Sequence, residues 1–312
     1  NIKKKTSNNT TTNATTNNNN TDKGNSGNTS SSFGTNSNSD TNETNIDTNT
    51  YITIQRSNGT TAKIELEQYV IGVLGAEMPA AFNNEALKAG AVIARTYALK
   101  ANFKGTSLKD NESNQSYKTD DELRNLWGSN YNTYYNKIKN AVIATKGKYL
   151  TYNGTYIEAV YHSTSNGQTE SSVNVWGNYY PYLVTVSSPY DNTNSSFQKE
   201  ATLTFETISS KLGIEITKDT TFTILSKTSG NRVEFISVSD KTYKGTDFRN
   251  LLGLRSADFD ININDDSVTF TTRGYGHGVG LSQYGANGMA KNGVTYEQIL
   301  SHYYPGTTLT SQ

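Results

Sequence analysis

Residues 66–79, LEQYVIGVLGAEMP, are the stretch on which the fold turns. Tyr69, Val70, Val73 and Leu74 recur at three- and four-residue spacing, which predicts a helix from Leu66 to Glu77. Pro79 ends it, because the residue before a proline avoids helical backbone angles. A second helix is predicted from about Asn84 to Lys100, capped by Asn83 or Asn84 and carrying Glu85 in its first turn. Its interior, ALKAGAVIA over 86–94, is small and apolar on most sides, so it reads as buried among close neighbours.

Upstream of this pair, Tyr51–Gln55 and Thr60–Glu65 read as strands around Asn58-Gly59, a hairpin signal. Downstream, residues 102–118 read as a polar loop, and Asp120–Trp127 and Tyr131–Lys146 as helices. A second hairpin, Lys148–Tyr152 with Thr155–Tyr161, turns at Asn153-Gly154. Strands are predicted over 182–187, 201–205, 214–225, 232–239, 258–263 and 266–272, and a short helix over Phe248–Leu254. A glycine-rich loop, Gly274–Gly280, precedes two helices near 281–291 and 295–303. Helices and mostly antiparallel strands without regular βαβ alternation predict an α+β fold. No internal repeat is visible.

Residues 1–50 differ in kind. They are a tract of Asn, Thr and Ser in which Phe33 is almost the only large apolar residue. Such a segment cannot bury enough surface to offset its ordering entropy, so it reads as a disordered tether ahead of a domain at 51–312. Its Asn-X-Ser/Thr matches arise by chance in this composition. Lys3, Lys4 and Lys5 could lie just outside a membrane. The first residue is Asn rather than Met, and no spanning helix or signal peptide is visible, so an anchor is expected outside the given sequence.

Composition narrows the function. The 312 residues carry 28 basic and 28 acidic side chains, without the basic excess usual in a nucleic-acid binder. With no cysteine, disulfides, thiolate zinc sites and cysteine nucleophiles are excluded. The 21 tyrosines suit carbohydrate surfaces, although coding bias produces the same enrichment.

Four places could carry chemistry. Glu77 sits between apolar residues at the C-terminal end of a helix, where desolvation and the negative end of the helix dipole both favour the protonated carboxyl that a general acid needs. The plain alternative is a surface glutamate at a helix end. Arg95, on the apolar second helix, is expected to pair with a carboxylate, Glu77 being one candidate, or to snorkel to solvent. Residues 161–170, YHSTSNGQTE, are dense in hydroxyls and amides suited to sugar hydroxyls and acetamides, and Trp176, Tyr179, Tyr180 and Tyr182 could form a stacking floor. The alternative is a polar turn before a core strand. In the run GYGHGVGLSQYGANGMA, residues 274–290, alternate glycines permit close backbone approach to a ligand. His277 there is a candidate donor or clamp, or a histidine that only packs. His162, His277 and His302 could in principle bind zinc, but no two have the i, i+4 spacing of a helical metal motif. Ser163 and His277 lack a nucleophile-elbow context.

Taken in order, several blocks resemble the stage II sporulation protein D family and the related amidase-enhancer proteins. They are 66–79, the run EALKAGAVIARTY at 85–97, STSNG at 163–167, Trp176 with Pro181-Tyr182-Leu183, 274–290, and YEQILSHYYPG at 296–306. The resemblance implies a membrane-anchored, cell-wall-facing protein of a spore-forming Gram-positive bacterium. It would act in engulfment as a lytic transglycosylase, cutting peptide-stripped glycan between muramic acid and glucosamine. The same resemblance leaves open a non-catalytic glycan-binding module that stimulates an amidase. It implies Glu77 as acid/base, with Lys88, Arg95, Ser163, Thr164, Ser165, Asn166, Thr169, Tyr182, His277, Gln283 and Tyr284 toward the glycan. The implied partners are peptidoglycan glycan strands, a cell-wall amidase or endopeptidase, and a membrane scaffold, with no nucleic acid. No cofactor is implied. Some relatives bind zinc through Cys and His after the second helix; residues 102–118 hold neither, so no metal is expected.

Overall fold

The computed structural model describes residues 50–111 and 113–311. The tract expected to be a tether lies outside the described residues, apart from Thr50. The fold is α+β, built as two apolar cores joined along a cleft.

The first core begins with a hairpin, β1 (Tyr51–Gln55) and β2 (Thr61–Glu65), in which Ile52 faces Ile64 and Ile54 faces Ala62. Its turn has the expected chemistry: Gly59 takes φ +83°, and the Asn58 side-chain oxygen accepts the Thr60 N–H. α1 (Leu66–Glu77) follows without a linker, capped by the Glu65 carboxylate, which accepts the Gln68 N–H. α1 ends where Met78 turns extended before Pro79. α2 (Asn84–Phe103) starts at the Asn83 cap and is buried along most of its length. The segment read as a loop contains β3 (Leu108–Lys109), which pairs parallel to β1. α3 (Asp120–Trp127) opens with a capping box of Thr119 and Glu122. α4 (Tyr131–Ala144) then covers α2 and leads into β4 (Lys148–Tyr152) and β5 (Thr155–Tyr156), which turn at Asn153-Gly154 as expected. The expected second strand of this hairpin breaks after Tyr156, and β6 (Tyr161–His162) is a separate piece.

α1 and α2 approach closely because Gly90 has no side chain. A Cβ there would lie 2.3 Å from the Met78 sulfur and 2.8 Å from Leu74 Cδ1. Buried Arg95 locks the same junction. Its guanidinium donates to both Glu67 carboxylate oxygens, at 2.9 and 2.6 Å, and to the carbonyls of Lys148 and Val142. One side chain thereby joins α1, α2, α4 and β4. Glu67 occupies the position that sequence reasoning offered to Glu77.

α5 (Ser172–Trp176) leads into the expected strand at 182–187, which is not formed. That segment is irregular, and its hydrogen bonds go to the loop before it: the Thr169 N–H to the Val186 carbonyl and the Ser172 N–H to that of Leu183. The second core follows. β7 (Gln198–Thr204) runs into α6 (Phe205–Leu212), capped by Thr204, then β8 (Phe222–Lys227), β9 (Val233–Val238) and β10 (Lys241–Lys244). The strand expected over 214–225 therefore begins only at Phe222. α7 (Gly245–Leu252) starts three residues earlier than expected, and β11 (Phe259–Ile263) pairs antiparallel with β12 (Ser267–Arg273), itself beside β7. Phe248, Phe259 and Phe270 interlock here, with ring centroids 5.6–5.9 Å apart.

The chain then returns to the first core. β13 (Leu281–Ser282) pairs parallel with β6, α8 (Gln283–Lys291) packs on α2, α9 (Tyr296–Tyr303) closes that face, and β14 (Thr308–Ser311) pairs with β4. Residues 274–280, between β12 and β13, thus link the second core to the first.

Candidate active site

Glu77 ends α1 beside a cleft of about 490 Å³ lined from both cores. Among the described residues it is the only carboxylate in that lining. Its Oε1 accepts the Ser116 N–H at 2.7 Å, so the segment read as a loop aims the group. The Gln283 side chain donates to the Glu77 main-chain carbonyl at 3.1 Å, satisfying one of the free carbonyls at the end of α1. The phenol of Tyr161 lines the cleft nearby; burial, then the charge of Glu77, pushes it well above its ordinary range, so it stays neutral.

The two histidines at the cleft are neutral as well. His277 Nδ1 accepts the Val279 N–H at 3.0 Å. Burial, then the charge of Arg249, pushes His277 down to about 4. His162 is buried, its Nδ1 lies 3.1 Å from the Val279 carbonyl, and burial pushes it well below its ordinary range. The rings lie 5.8 Å apart, and Trp176 packs on His277 at 5.1 Å while remaining 45% exposed at the cleft. His302 stands elsewhere, with Nε2 on the Ser187 carbonyl. Among the described residues, no three His, Cys, Asp or Glu side chains gather as a metal site would need.

The other expected site residues divide into three groups. Ser163, His277 and Gln283 line the cleft with Glu77. Thr164, Ser165, Asn166, Thr169, Tyr182 and Tyr284 build its frame instead. The Thr164 main chain exchanges hydrogen bonds with Tyr275, at 3.1 and 2.7 Å. The Ser165 hydroxyl donates to buried Asp191, which also accepts from Ser188 and Ser282. Asn166 donates to the Gly230 carbonyl and to Asp258, and Thr169 donates to the Val184 carbonyl. Tyr182 is buried with its hydroxyl accepting the Glu158 N–H, and Tyr284 sets its ring edge-on to Phe82. The hydroxyls of Ser165, Thr169 and Tyr182 and the Asn166 side-chain NH2 make their hydrogen bonds within the protein.

Lys88 and Arg95 form the third group, and neither lines the cleft. Lys88 pairs with Glu85 and borders a different cavity, beside α4. Arg95 is fully buried in its pair with Glu67, with no exposed face for a ligand. Of the alternate glycines, Gly276 lines the cleft, whereas Gly278 and Gly280 face protein. A Cβ on Gly280 would lie 2.0 Å from the Val160 carbonyl oxygen, and one on Gly278 would lie 2.4 Å from the Arg232 guanidinium. They let the linking loop lie flat on β6 and its flanks.

Sequence reasoning missed Tyr97, Asn114, Arg249 and Tyr275, all in the cleft lining. Asn114 donates to the Tyr97 hydroxyl at 3.1 Å, across 17 residues of sequence. Arg249 comes from α7, in the second core. Tyr275 lies in the glycine-rich run already singled out, but no local pattern marks Asn114 or Arg249, because the cleft exists only once the two cores are joined.

A family model described as Stage II sporulation protein matches residues 55–152. Stage II sporulation protein D of Bacillus subtilis (strain 168) is 43% identical over 263 residues, covering 81% of this chain and 77% of its own. That of Bacillus amyloliquefaciens is also 43% identical over 263 residues, covering 81% and 76%. A Bacillus subtilis (strain 168) protein named Amidase enhancer is 31% identical over 299 residues, covering 77% of this chain and 40% of its own.

Proposed function

The chain belongs to the stage II sporulation protein D family, and on that premise we propose that it is a lytic transglycosylase of peptidoglycan with Glu77 as its acid/base. The observation that carries this reading is that Glu77 is the single carboxylate, among the described residues, lining a cleft of about 490 Å³. A glycosidase acting through water or a covalent intermediate needs two carboxyl groups, about 5–9.5 Å apart. A transglycosylase needs one. Glu77 protonates the oxygen between muramic acid and glucosamine, and that bond breaks. As a carboxylate, Glu77 then takes the proton of the muramyl C6 hydroxyl, whose oxygen closes on C1. The products are a free glucosamine 4-hydroxyl and a 1,6-anhydro end, and Glu77 has regained its proton.

Gln283 and the Ser116 N–H hold the acid, while Trp176 and Tyr275 offer exposed rings for sugar faces. On this reading the protein works on the cell wall during sporulation, on strands an amidase has stripped, as a domain spanning 51–312. The relative named Amidase enhancer favours one second reading, a module that binds glycan and stimulates an amidase without cutting.

Mass spectrometry of purified glycan after incubation separates the two. Wild type should release anhydro-muramyl ends and Glu77→Gln should not. Reducing ends would mean hydrolysis and sink the single-carboxyl mechanism. Binding without cleavage by wild type would favour the module.

A further inference from the structure

Arg249 differs from the other arginines that guard this fold. Arg56, Arg95, Arg124, Arg232 and Arg273 each have a carboxylate within 4 Å. Among the described residues, Arg249 and Arg255 do not. Both sit at the cleft: Arg249 lines it, and Arg255 lies over the ring of Tyr275 at 4.2 Å. Arg249 also borders an adjoining cavity of about 170 Å³, which shares Trp176, Gly276 and His277 with the main cleft. Its hydrogen bonds among the described residues are long and neutral, to the Arg255 carbonyl and the Asn250 side-chain oxygen, both 3.3 Å. Burial pushes the Arg249 guanidinium down, and its charge in turn depresses His277 and Arg232. A half-buried positive charge without a counterion is stabilised by an incoming anion, and a guanidinium fork matches a carboxylate best. Trp176, 45% exposed on the border of both cavities, supplies an apolar face beside it.

We infer that Arg249 is a specificity-determining residue that recognises a carboxylate carried on the glycan, the free lactyl carboxylate of a muramic acid seated against Trp176. The inference rests on the glycan-cutting reading above. When a stem peptide is attached, that carboxylate becomes a neutral amide, and Arg249 loses both the charge and one acceptor oxygen. The preference for stripped strands then has a physical origin on α7, in the core opposite Glu77.

Calorimetry on the Glu77→Gln protein, which binds without turnover, tests this with three tetrasaccharides: one with free lactyl carboxylates, the same one with those groups amidated, and neutral chitotetraose. The free-carboxylate ligand should bind at least about tenfold tighter than the other two at low salt. Adding Arg249→Met should reduce that preference to within about twofold, read as the ratio of free-carboxylate to chitotetraose affinity. Adding Arg249→Lys, which keeps the charge and loses the fork, should retain part of the preference. Equal binding of all three by the parent, or a preference that survives Arg249→Met, would overturn the inference and leave the glycan-cutting reading intact. Binding of none would overturn both.

Discussion

At the scale of the residue, the proposed mechanism rests its chemistry on Glu77 and its geometry on the neighbours of that group. Glu77→Gln keeps an oxygen to accept the Ser116 N–H, so the fold should survive while the proton is lost. Loss of a general acid costs about 10²–10⁴ in rate, so release of anhydro ends should fall by that factor while the melting temperature holds within a degree or two. Arg95 should behave in the reverse way. Arg95→Ala would take from Glu67 its paired guanidinium and from the Lys148 carbonyl its Arg95 donor, at about 3–5 kcal/mol, read as a lower urea midpoint. A weakened glycan affinity with unchanged stability would contradict that placement. The place of Glu77 at the end of α1 was legible because helix end, apolar flanks and proline lie within one short run. The partner of Arg95 was not. Glu67 and Glu77 both sit on α1, and only the packing of α2 selects between them.

At the scale of the element, local chemistry and tertiary pairing part company. Both Asn-Gly hairpins form, because a positive φ at the turn is written in the residues themselves. The strand expected at 182–187 does not form, although LVTV at 183–186 has strand composition. Its hydrogen-bond partner is an irregular loop at 167–172, and no pattern inside the segment reports that. The α1–α2 junction is the element contact on which the acid depends. Gly90→Ala must displace Met78 or Leu74, which lie on or just past α1, and overpacking of this kind costs about 1–3 kcal/mol. Because Met78 follows Glu77 directly, the proposed cutting activity per folded molecule should also fall. Denaturation and turnover measured together check this: a loss of stability with turnover per folded molecule unchanged would show that the junction does not position Glu77.

At the scale of the whole molecule, the two cores meet at a seam that holds His162 and His277, and this makes stability depend on pH. Both histidines are depressed by burial, His277 to about 4 against an ordinary value near 6.5. A base depressed in the folded state is neutral there while the unfolded chain still takes the proton. Its contribution is therefore complete above about pH 6.5 and is lost as pH falls toward 4. For His277 this is on the order of 1–3 kcal/mol. Asp191 acts in the opposite sense, because burial raises it and its protonation in the folded state adds stability as pH falls. A single variant isolates the histidine. In His277→Asn, an amide oxygen can still accept the Val279 N–H but cannot titrate. Melting temperatures between pH 7.5 and 4.5 should fall less steeply for the variant than for wild type. Equal slopes would assign the acid loss to other groups. The residue that depresses His277 most after burial is Arg249, so an anion bound at that guanidinium should weaken the depression. Added free-carboxylate glycan should therefore move the His277 ring titration upward in an NMR series on the Glu77→Gln protein, whereas chitotetraose should leave it in place. The pH response of the seam and the charge read by the cleft are then two measurements of one electrostatic field.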